Sequence, residues 1–398
     1  MNLGLEEYIT LDLGSGKAYL REDKAEDLRK IDSIIFDCDG VLIDIRGSYD
    51  KAIAKTVAYI FEGLTGYTIP ENMVSDKIMF LFRRSGGFNN DWDIVYGITM
   101  FLICELPRSM LKKIEESIKS SIKEKDLLKR LSSIKEKMRL ENFDLGGLLE
   151  NLIAKLEHFT KFLDVSGVAS VDRTILKSRK VSESFYNLLK NFLYGSERVG
   201  ESIIPTIFEE IFCGPTLFKE IYDVEPTFYH GPGMIENGKP IVSHESFKRL
   251  EEVLGGAKFG IASGSRFKSA QHVLRDLLTW FKPEAIVFLD DIEKAQKEYL
   301  KRGIKVNLKK PNPFSLLKSA KALEPFNLAL YVGDSMEDAI TVEEARKVDS
   351  RFMFAGVYEY SSMKDEFIKE FINYGCDLIL PSVNDIWVVI NAFRGEKP

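Results

Sequence analysis

Short apolar runs, separated by stretches of helical periodicity, constrain the fold of this chain more than any other feature. The first run opens the stretch IDSIIFDCDGVLID at Ile31, and similar runs recur only much later. Such runs are typical of strands buried on both faces, and strands that alternate with helices favour parallel pairing. We therefore predict an α/β fold, a doubly wound parallel sheet with helices on both faces. The later strand runs are Phe259–Ala262, Ala285–Leu289, Leu328–Val332, Arg351–Val357 and Leu378–Leu380, with helices predicted at Lys268–Trp280, Pro313–Leu323 and Met336–Val348.

The segment from about residue 47 to 240 has a different pattern. It has amphipathic helical periodicity, as in Ser109–Leu140, and few runs that look like strands. Its exit, HGPGMIENGKP, is rich in turn residues and suits a linker or hinge. We predict a core made of residues 31–46 and 241–398, interrupted by an α-helical cap at 47–240. Residues 1–30 form a polar N-terminal extension to which the sequence assigns no role.

Composition excludes several classes of protein. Among 398 residues the net charge is -6, with acids and bases interspersed, which argues against a nucleic-acid partner. The longest apolar run, Ile94–Cys104, is too short to span a membrane and is predicted to be a buried helix. The four cysteines form no CxxC pair and no basic, apolar leader opens the chain, so we expect a cytoplasmic protein. Scarce glutamine beside abundant Lys and Glu weakly indicates a thermophilic source.

The chemistry begins where the first run ends. Asp37 and Asp39 are two residues apart on an extended chain, so their side chains leave on one face, while Phe36 and Cys38 point the other way. Two carboxylates in one small volume repel each other unless a cation neutralises them, and Mg²⁺ prefers such hard oxygen ligands. Gly40 permits a sharp turn there. A solvated acidic turn is the ordinary alternative for this motif taken alone.

Three further motifs follow the later runs. Ser263, Gly264 and Ser265 come after a strand, where hydroxyl and backbone N–H groups can hold phosphate oxygens. Lys310 precedes a helix that Pro313 can open, and it can neutralise a phosphoryl group. Taken singly, Ser263 is better explained as a helix cap and Lys310 as a surface lysine.

The fourth motif is YVGDSMEDA. It places Asp334 at a strand end and Asp338 one helical turn later, so that both can face an ion near Asp37. Acids at a helix N-terminus that favour the helix dipole are the ordinary alternative.

The order of these four motifs resembles that of the haloacid dehalogenase superfamily. The resemblance covers about residues 31–45 and 241–380, and the inserted segment resembles the cap of that family, although it is longer than usual. It implies that Asp37 is a nucleophile, Asp39 a general acid and base, and Ser263, Gly264 and Lys310 phosphoryl binders. It implies Asp334 as a magnesium ligand, with Asp37, Asp39 and Asp338 as further candidate ligands. Arg266 and His230 are weaker candidates for substrate contact.

The resemblance implies a magnesium-dependent phosphatase that acts on a small phosphorylated metabolite through an aspartyl-phosphate. A sugar phosphomutase uses the same residues and stays open, as does a catalytically silent binding protein. A true dehalogenase has no need of Asp39 with Asp334, and a P-type ATPase has threonine in place of Asp39. We further expect the segment 47–240 to act as a mobile lid that sets substrate choice.

Overall fold

The computed structural model describes residues 4–88, 90–140, 146–256, 258–361 and 363–395. The chain divides into two compact units. Met1–Arg46 and Gly238–Pro398 form the first unit, and Gly47–Asn237 form the second. Each unit is described by itself below.

A mostly parallel sheet of eight strands occupies the centre of the first unit. Its strand order is β1-β2-β10-β9-β8-β3-β6-β7, and the six strands from β10 to β7 run parallel. Two short strands, β4 and β5, pair separately and antiparallel. The strands are β1 Tyr8–Asp12, β2 Lys17–Arg21, β3 Ile31–Phe36, β4 Ile43–Asp44, β5 Lys239–Pro240, β6 Phe259–Ala262, β7 Ile286–Val287, β8 Leu328–Gly333, β9 Phe352–Val357 and β10 Leu378–Leu380.

Helices cover both faces of this sheet because the buried strands are apolar on both sides. Ile34 and Phe36 pack on one face with α11, α12 and α17, whereas Ile35 and Tyr331 pack on the other with α14, α15 and α16. Phe36 and Cys38 are fully buried in the same cluster, as alternation along the chain predicts. The helices of this unit are α1 Ala25–Leu28, α11 His244–Leu254, α12 Phe267–Leu274, α13 Leu289–Lys301, α14 Phe314–Leu323, α15 Met336–Arg346, α16 Lys364–Tyr374 and α17 Ile386–Arg394.

The predicted strands and helices of this unit are largely confirmed. The run at Ala285–Leu289 yields only β7, because a 3-10 turn precedes it and Phe288 already caps α13. The predicted helix Lys268–Trp280 is α12 followed by a 3-10 turn from Arg275.

The N-terminal extension is part of the sheet. β1 and β2 form an antiparallel hairpin, and Leu20 and Tyr19 of β2 pair with β10. Asp377, which is fully buried beside β10, fixes this hairpin through Arg21, whose Nη2 lies 3.2 Å from Asp377 Oδ1. Asp377 also contacts Arg346 and accepts a hydrogen bond from Phe354 N at 2.8 Å. A buried carboxylate between two arginines thus ties the extension to the core.

The described residues of the second unit are organised by helices. They are α2 Tyr49–Thr65, α3 Asp76–Arg83, α4 Asp91–Cys104, α5 Arg108–Ser121, α6 Leu127–Arg139, α7 Gly146–Thr160, α8 Val168–Lys177, α9 Glu183–Tyr194 and α10 Ile203–Tyr222. From Ile94 to Cys104, α4 is buried throughout, as the apolar run predicts.

Helix α10 is kinked at Gly214, where φ is +70° and Pro215 follows. At the kink a Cβ on Gly214 would lie 2.6 Å from Gly233 N, so two backbones cross there. The fully buried Glu210 of α10 accepts hydrogen bonds from the backbone N–H groups of Phe228 at 2.6 Å and Tyr229 at 2.8 Å. The residues just before the predicted linker are therefore held against α10, and Gly233 within the linker lies against Gly214.

Among the described residues, none of the helices combines the length and the apolar character that crossing a membrane requires.

Replacing Asp377 should destabilise the protein far more than replacing an exposed acid on the same arginine. We expect Asp377→Ala to lower the free energy of unfolding by about 3–5 kcal/mol, because two arginines lose a buried partner. Asp23→Ala, which removes the 2.7 Å contact of an exposed side chain with Arg21, should cost less than about 1 kcal/mol. Urea unfolding followed by circular dichroism measures both values, and equal losses would contradict the anchoring role of Asp377.

Candidate functional site

Three neighbouring strands bring the sequence motifs to one edge of the sheet. In the order β8-β3-β6, Asp334 follows β8, Asp37 follows β3 and Ser263 follows β6. Because these strands are parallel, their carboxyl ends lie at the same edge. Hydrogen bonds continue the ladder past the strand ends, from Asp37 N to Val332 O at 2.8 Å and from Ser263 N to Val287 O at 3.0 Å.

Lys310 lies between two carboxylates at this edge. Its Nζ is 3.0 Å from Asp37 Oδ1 and 2.7 Å from Asp338 Oδ1. The contact with Asp37 is one of charge, since Asp37 Oδ1 has no hydrogen bond of good geometry. All three side chains are buried, with exposed fractions of 7% for Lys310, 12% for Asp37 and 1% for Asp338. The lysine is a fixed cation inside the site, in contrast to the usual solvated fate of lysine.

Burial and the neighbouring charges both shift the pKa values of Asp37 and Lys310. Burial raises the pKa of Asp37 above its ordinary value, and the negative charge of Asp338 adds to this, while Lys310 opposes both. Burial alone would lower the pKa of Lys310, but the charges of Asp338 and Asp37 outweigh it, and the pKa lies well above its ordinary value. Lys310 therefore stays protonated, and further positive charge near Asp37 would favour the ionised form of that carboxyl group.

Asp338 is held on several sides at the start of α15. Its backbone N donates to Ser335 Oγ at 3.2 Å and its Oδ2 accepts from Ser335 N at 3.3 Å, which together form a capping box. Asp338 Oδ2 also accepts a 2.6 Å hydrogen bond from Ser335 Oγ. Tyr331 Oη lies 3.0 Å from Asp338 Oδ1 and 3.0 Å from Ala262 O. Its ring centroid is 5.4 Å from Lys310 Nζ. These contacts fix the carboxylate that orients the lysine.

Three carboxylates form a group that could hold a metal ion. Ligand oxygens of Asp37, Asp334 and Asp338 all lie within 4.8 Å of one another. This set of hard oxygen donors fits Mg²⁺, and a divalent cation there would supply the positive charge that Lys310 alone does not. Asp39, which the sequence also nominates as a ligand, lies outside this group, and its Oδ2 accepts a hydrogen bond from Ser265 Oγ.

Two glycines give the acids their space. Gly40 has a φ of +72°, and a Cβ there would lie 1.8 Å from Asp334 Oδ2. A Cβ on Gly333 would lie 2.4 Å from the Cβ of Asp338. Any larger residue at either position would push a carboxylate out of the group.

The loop after β6 forms a chain of hydroxyl contacts. Ser263, only 1% exposed, accepts from Ser265 N at 3.2 Å, and its Oγ donates to Ser265 Oγ at 3.1 Å. Ser265 Oγ in turn donates to Asp39. The serine nominated as a phosphoryl binder and the aspartate nominated as acid and base are thus connected through Ser265.

The remaining nominated residues have other surroundings. Gly264 is exposed, and a Cβ there would meet nothing within 4 Å, so only its backbone N–H can serve a ligand. Arg266 binds Glu293 through two contacts of 2.9 Å and lies 3.2 Å from Asp290. His230 is exposed and belongs to the second unit.

Sequence reasoning missed three residues of the site. Tyr331 looks like one more apolar strand residue, and Ser335 like an ordinary helix cap, although the S-x-x-D spacing to Asp338 signals the capping box. Glu337 follows Asp334 in the first turn of α15, and burial raises its pKa to about 8, with Lys310 opposing the rise. No pattern in the sequence distinguishes this acid from an exposed one.

Comparison with known proteins adds information on the fold. No family model matches the sequence, and no curated protein matches it. An X-ray structure described as a target of the Northeast Structural Genomics Consortium is similar, with a TM-score of 0.60 and 19% identity. The alignment covers 92% of this chain and 100% of that chain. At this identity the likeness shows that the two chains share a fold.

Gly40→Ala should weaken cation binding although it replaces none of the candidate ligands. The added methyl group meets Asp334 Oδ2 and also strains a backbone at positive φ. We expect the affinity for Mg²⁺, measured by isothermal titration calorimetry, to fall by about 10–100-fold, as it does when the support of a ligand is lost. Gly264→Ala, where the methyl group meets nothing, is the matched control and should bind Mg²⁺ like the parent. Unchanged affinity in Gly40→Ala would contradict a metal site at Asp334.

Proposed function

We propose that the protein is a magnesium-dependent phosphatase of the haloacid dehalogenase type, which hydrolyses a small phosphomonoester through an aspartyl-phosphate on Asp37. One observation carries the proposal. A buried lysine contacts the candidate nucleophile and is held by a second carboxylate, while a third completes a possible metal site. A solvated acidic turn, the ordinary alternative for the motif, would have none of these contacts.

The described residues support a distinct part for each motif. Asp37 attacks the phosphorus, and as that bond forms, the bond from phosphorus to the leaving oxygen breaks. Asp39 gives its proton to the leaving oxygen. Asp39 then accepts a proton from water, which attacks the same phosphorus, so that inorganic phosphate leaves and Asp37 is released.

Positive charge and N–H groups balance the charge on the phosphoryl oxygens. Lys310 is already oriented by Asp338 and Tyr331, so it needs little reorganisation when the phosphoryl group binds. Ser263 and the backbone of Gly264 can donate to nonbridging oxygens. Mg²⁺ held by Asp37, Asp334 and Asp338 would supply further charge neutralisation.

We assign the helical unit Gly47–Asn237 as the cap of this enzyme. It interrupts the chain between Asp37 and Ser263, which is where the superfamily places a cap. The chain leaves the core after β4 and returns at β5, and these strands pair with each other, Ile43 with Pro240 and Asp44 with Lys239. The core thus presents both ends of the insertion side by side. All residues assigned to phosphoryl chemistry lie in the core, so the cap is left to select the substrate.

Asp37→Asn should abolish phosphate release, because the amide keeps the shape of the side chain and removes the nucleophile. With Mg²⁺ present, we expect release of inorganic phosphate from p-nitrophenyl phosphate to fall by about 10⁴-fold or more. Circular dichroism checks that the fold is kept. Asp32→Asn, on β3 at the opposite end of the strand, is the matched control and should retain activity. Full turnover by Asp37→Asn would refute Asp37 as the nucleophile. Parent activity that persists in EDTA would refute the requirement for magnesium.

Asp39→Asn should slow the reaction in a way that depends on the leaving group. Alkyl phosphates should lose about 10²–10⁴-fold, since their leaving oxygen needs a proton, and p-nitrophenyl phosphate should lose less. Turnover is measured across a series of esters with leaving groups of different pKa. Equal losses across the series would exclude Asp39 as the general acid.

A further inference from the structure

Ser265 contacts both the serine that is proposed to bind the phosphoryl group, Ser263, and the proposed general acid and base, Asp39. Its Oγ is an acceptor for Ser263 Oγ at 3.1 Å and a donor to Asp39 Oδ2. Its backbone is independently fixed, because Ser265 N donates to Ser263 Oγ at 3.2 Å and Leu289 N donates to Ser265 O at 2.9 Å. The side chain of Ser265 is therefore not needed to shape the loop that it belongs to.

The direction of the hydrogen bonds follows from the number of protons. A hydroxyl has one proton, and Ser265 Oγ donates its proton to Asp39 Oδ2, so the bond between the two serine hydroxyls uses the proton of Ser263. Ser263 then donates to Ser265, and Ser265 donates to Asp39. The chain of donors ends on Oδ2 of Asp39.

A general acid needs its reactive oxygen within hydrogen-bond reach of the leaving oxygen. Asp39 lies on the turn after β3, where its carboxylate can rotate about two side-chain bonds. Lys310, Asp338 and Tyr331 hold the nucleophile side of the site. On the side of the proposed general acid, the hydrogen bond from Ser265 Oγ to Asp39 Oδ2 restricts the rotation of that carboxylate.

We propose that Ser265 is a positioning residue, whose hydroxyl holds the carboxylate of Asp39 in the orientation for proton transfer to the leaving oxygen. Ser265 keeps its own proton throughout and forms no bond to substrate. Its link to Ser263 also joins this orientation to phosphoryl binding. When Ser263 turns its single proton toward a phosphoryl oxygen, Ser265 loses a donor and keeps Asp39 as its partner. The inference rests on the proposed function and adds to it a residue that acts through Asp39.

The test compares Ser265→Ala and Ser265→Thr with the parent enzyme in Mg²⁺, using p-nitrophenyl phosphate and phenyl phosphate. Phenol is the poorer leaving group and depends more on protonation by Asp39. For Ser265→Ala we expect kcat to fall about tenfold on phenyl phosphate and less than about threefold on p-nitrophenyl phosphate, a fraction of what a general acid contributes. Ser265→Thr keeps the hydroxyl and should restore phenyl phosphate turnover to within about threefold of the parent.

Two further variants separate positioning from other roles. Ser263→Ala, which removes a phosphoryl donor, should slow both substrates by similar factors. In an Asp39→Asn background, Ser265→Ala should change turnover by less than about twofold, because residues that act through one another do not add. Equal losses on both substrates for Ser265→Ala, full additivity with Asp39→Asn, or failure of Ser265→Thr to restore turnover would each overturn the positioning role. If the parent releases no phosphate from either ester, the proposed function itself fails, and the inference fails with it.

Discussion

The imbalance of charge around Lys310 is the constraint on which the rest of the site depends. One buried ammonium group faces Asp37 and Asp338, and Asp334 adds a third carboxylate to the same group. Separately, each of these charges would be costly to bury, and together they still carry excess negative charge. The surrounding structure accommodates this excess. Gly40 and Gly333 leave room for the carboxylates, the capping box of α15 fixes one of them, and the sheet brings all of them to the ends of adjacent strands.

Much of the core could be predicted because its signals are local and repeated. An apolar run that ends in an acid or a serine indicates both a buried strand and the edge at which it ends, and β3, β6 and β8 were found in this way. The contact between Lys310 and Asp37 is harder to predict from the sequence. A lysine near a proline does not indicate how close its side chain lies to a strand that is far away in sequence. This contact became predictable only through the order of the motifs.

Other features were beyond the sequence for physical reasons. The hairpin of residues 8–21 is fixed to the sheet through Asp377. This contact could not be predicted, because the sequence does not distinguish a buried acid between two arginines from an ion pair on the surface. The apolar run at Ala285–Leu289 predicts a strand longer than β7, because the buried helix cap Phe288 is as apolar as a strand residue. Tyr331 has the sequence pattern of a buried strand residue because its ring belongs to the core, yet its hydroxyl contacts Asp338 and its ring faces Lys310. The predicted linker begins at His230, and the backbone just before it is fixed because Glu210 accepts hydrogen bonds from the N–H groups of residues 227–229.

The pairing of β4 with β5 has a consequence for how such a protein can change. Because Ile43 and Pro240 are neighbours in one ladder, the core meets the inserted segment as a loop whose two ends are already closed. The entropic cost of closing a loop rises slowly with its length, by about 0.6 kcal/mol for each doubling. Insertions, deletions or wholesale exchange of the segment between these ends would therefore cost the core little. This one ladder makes the core a stable acceptor for new helices, and a lineage could exchange the inserted segment without rebuilding the residues around Asp37.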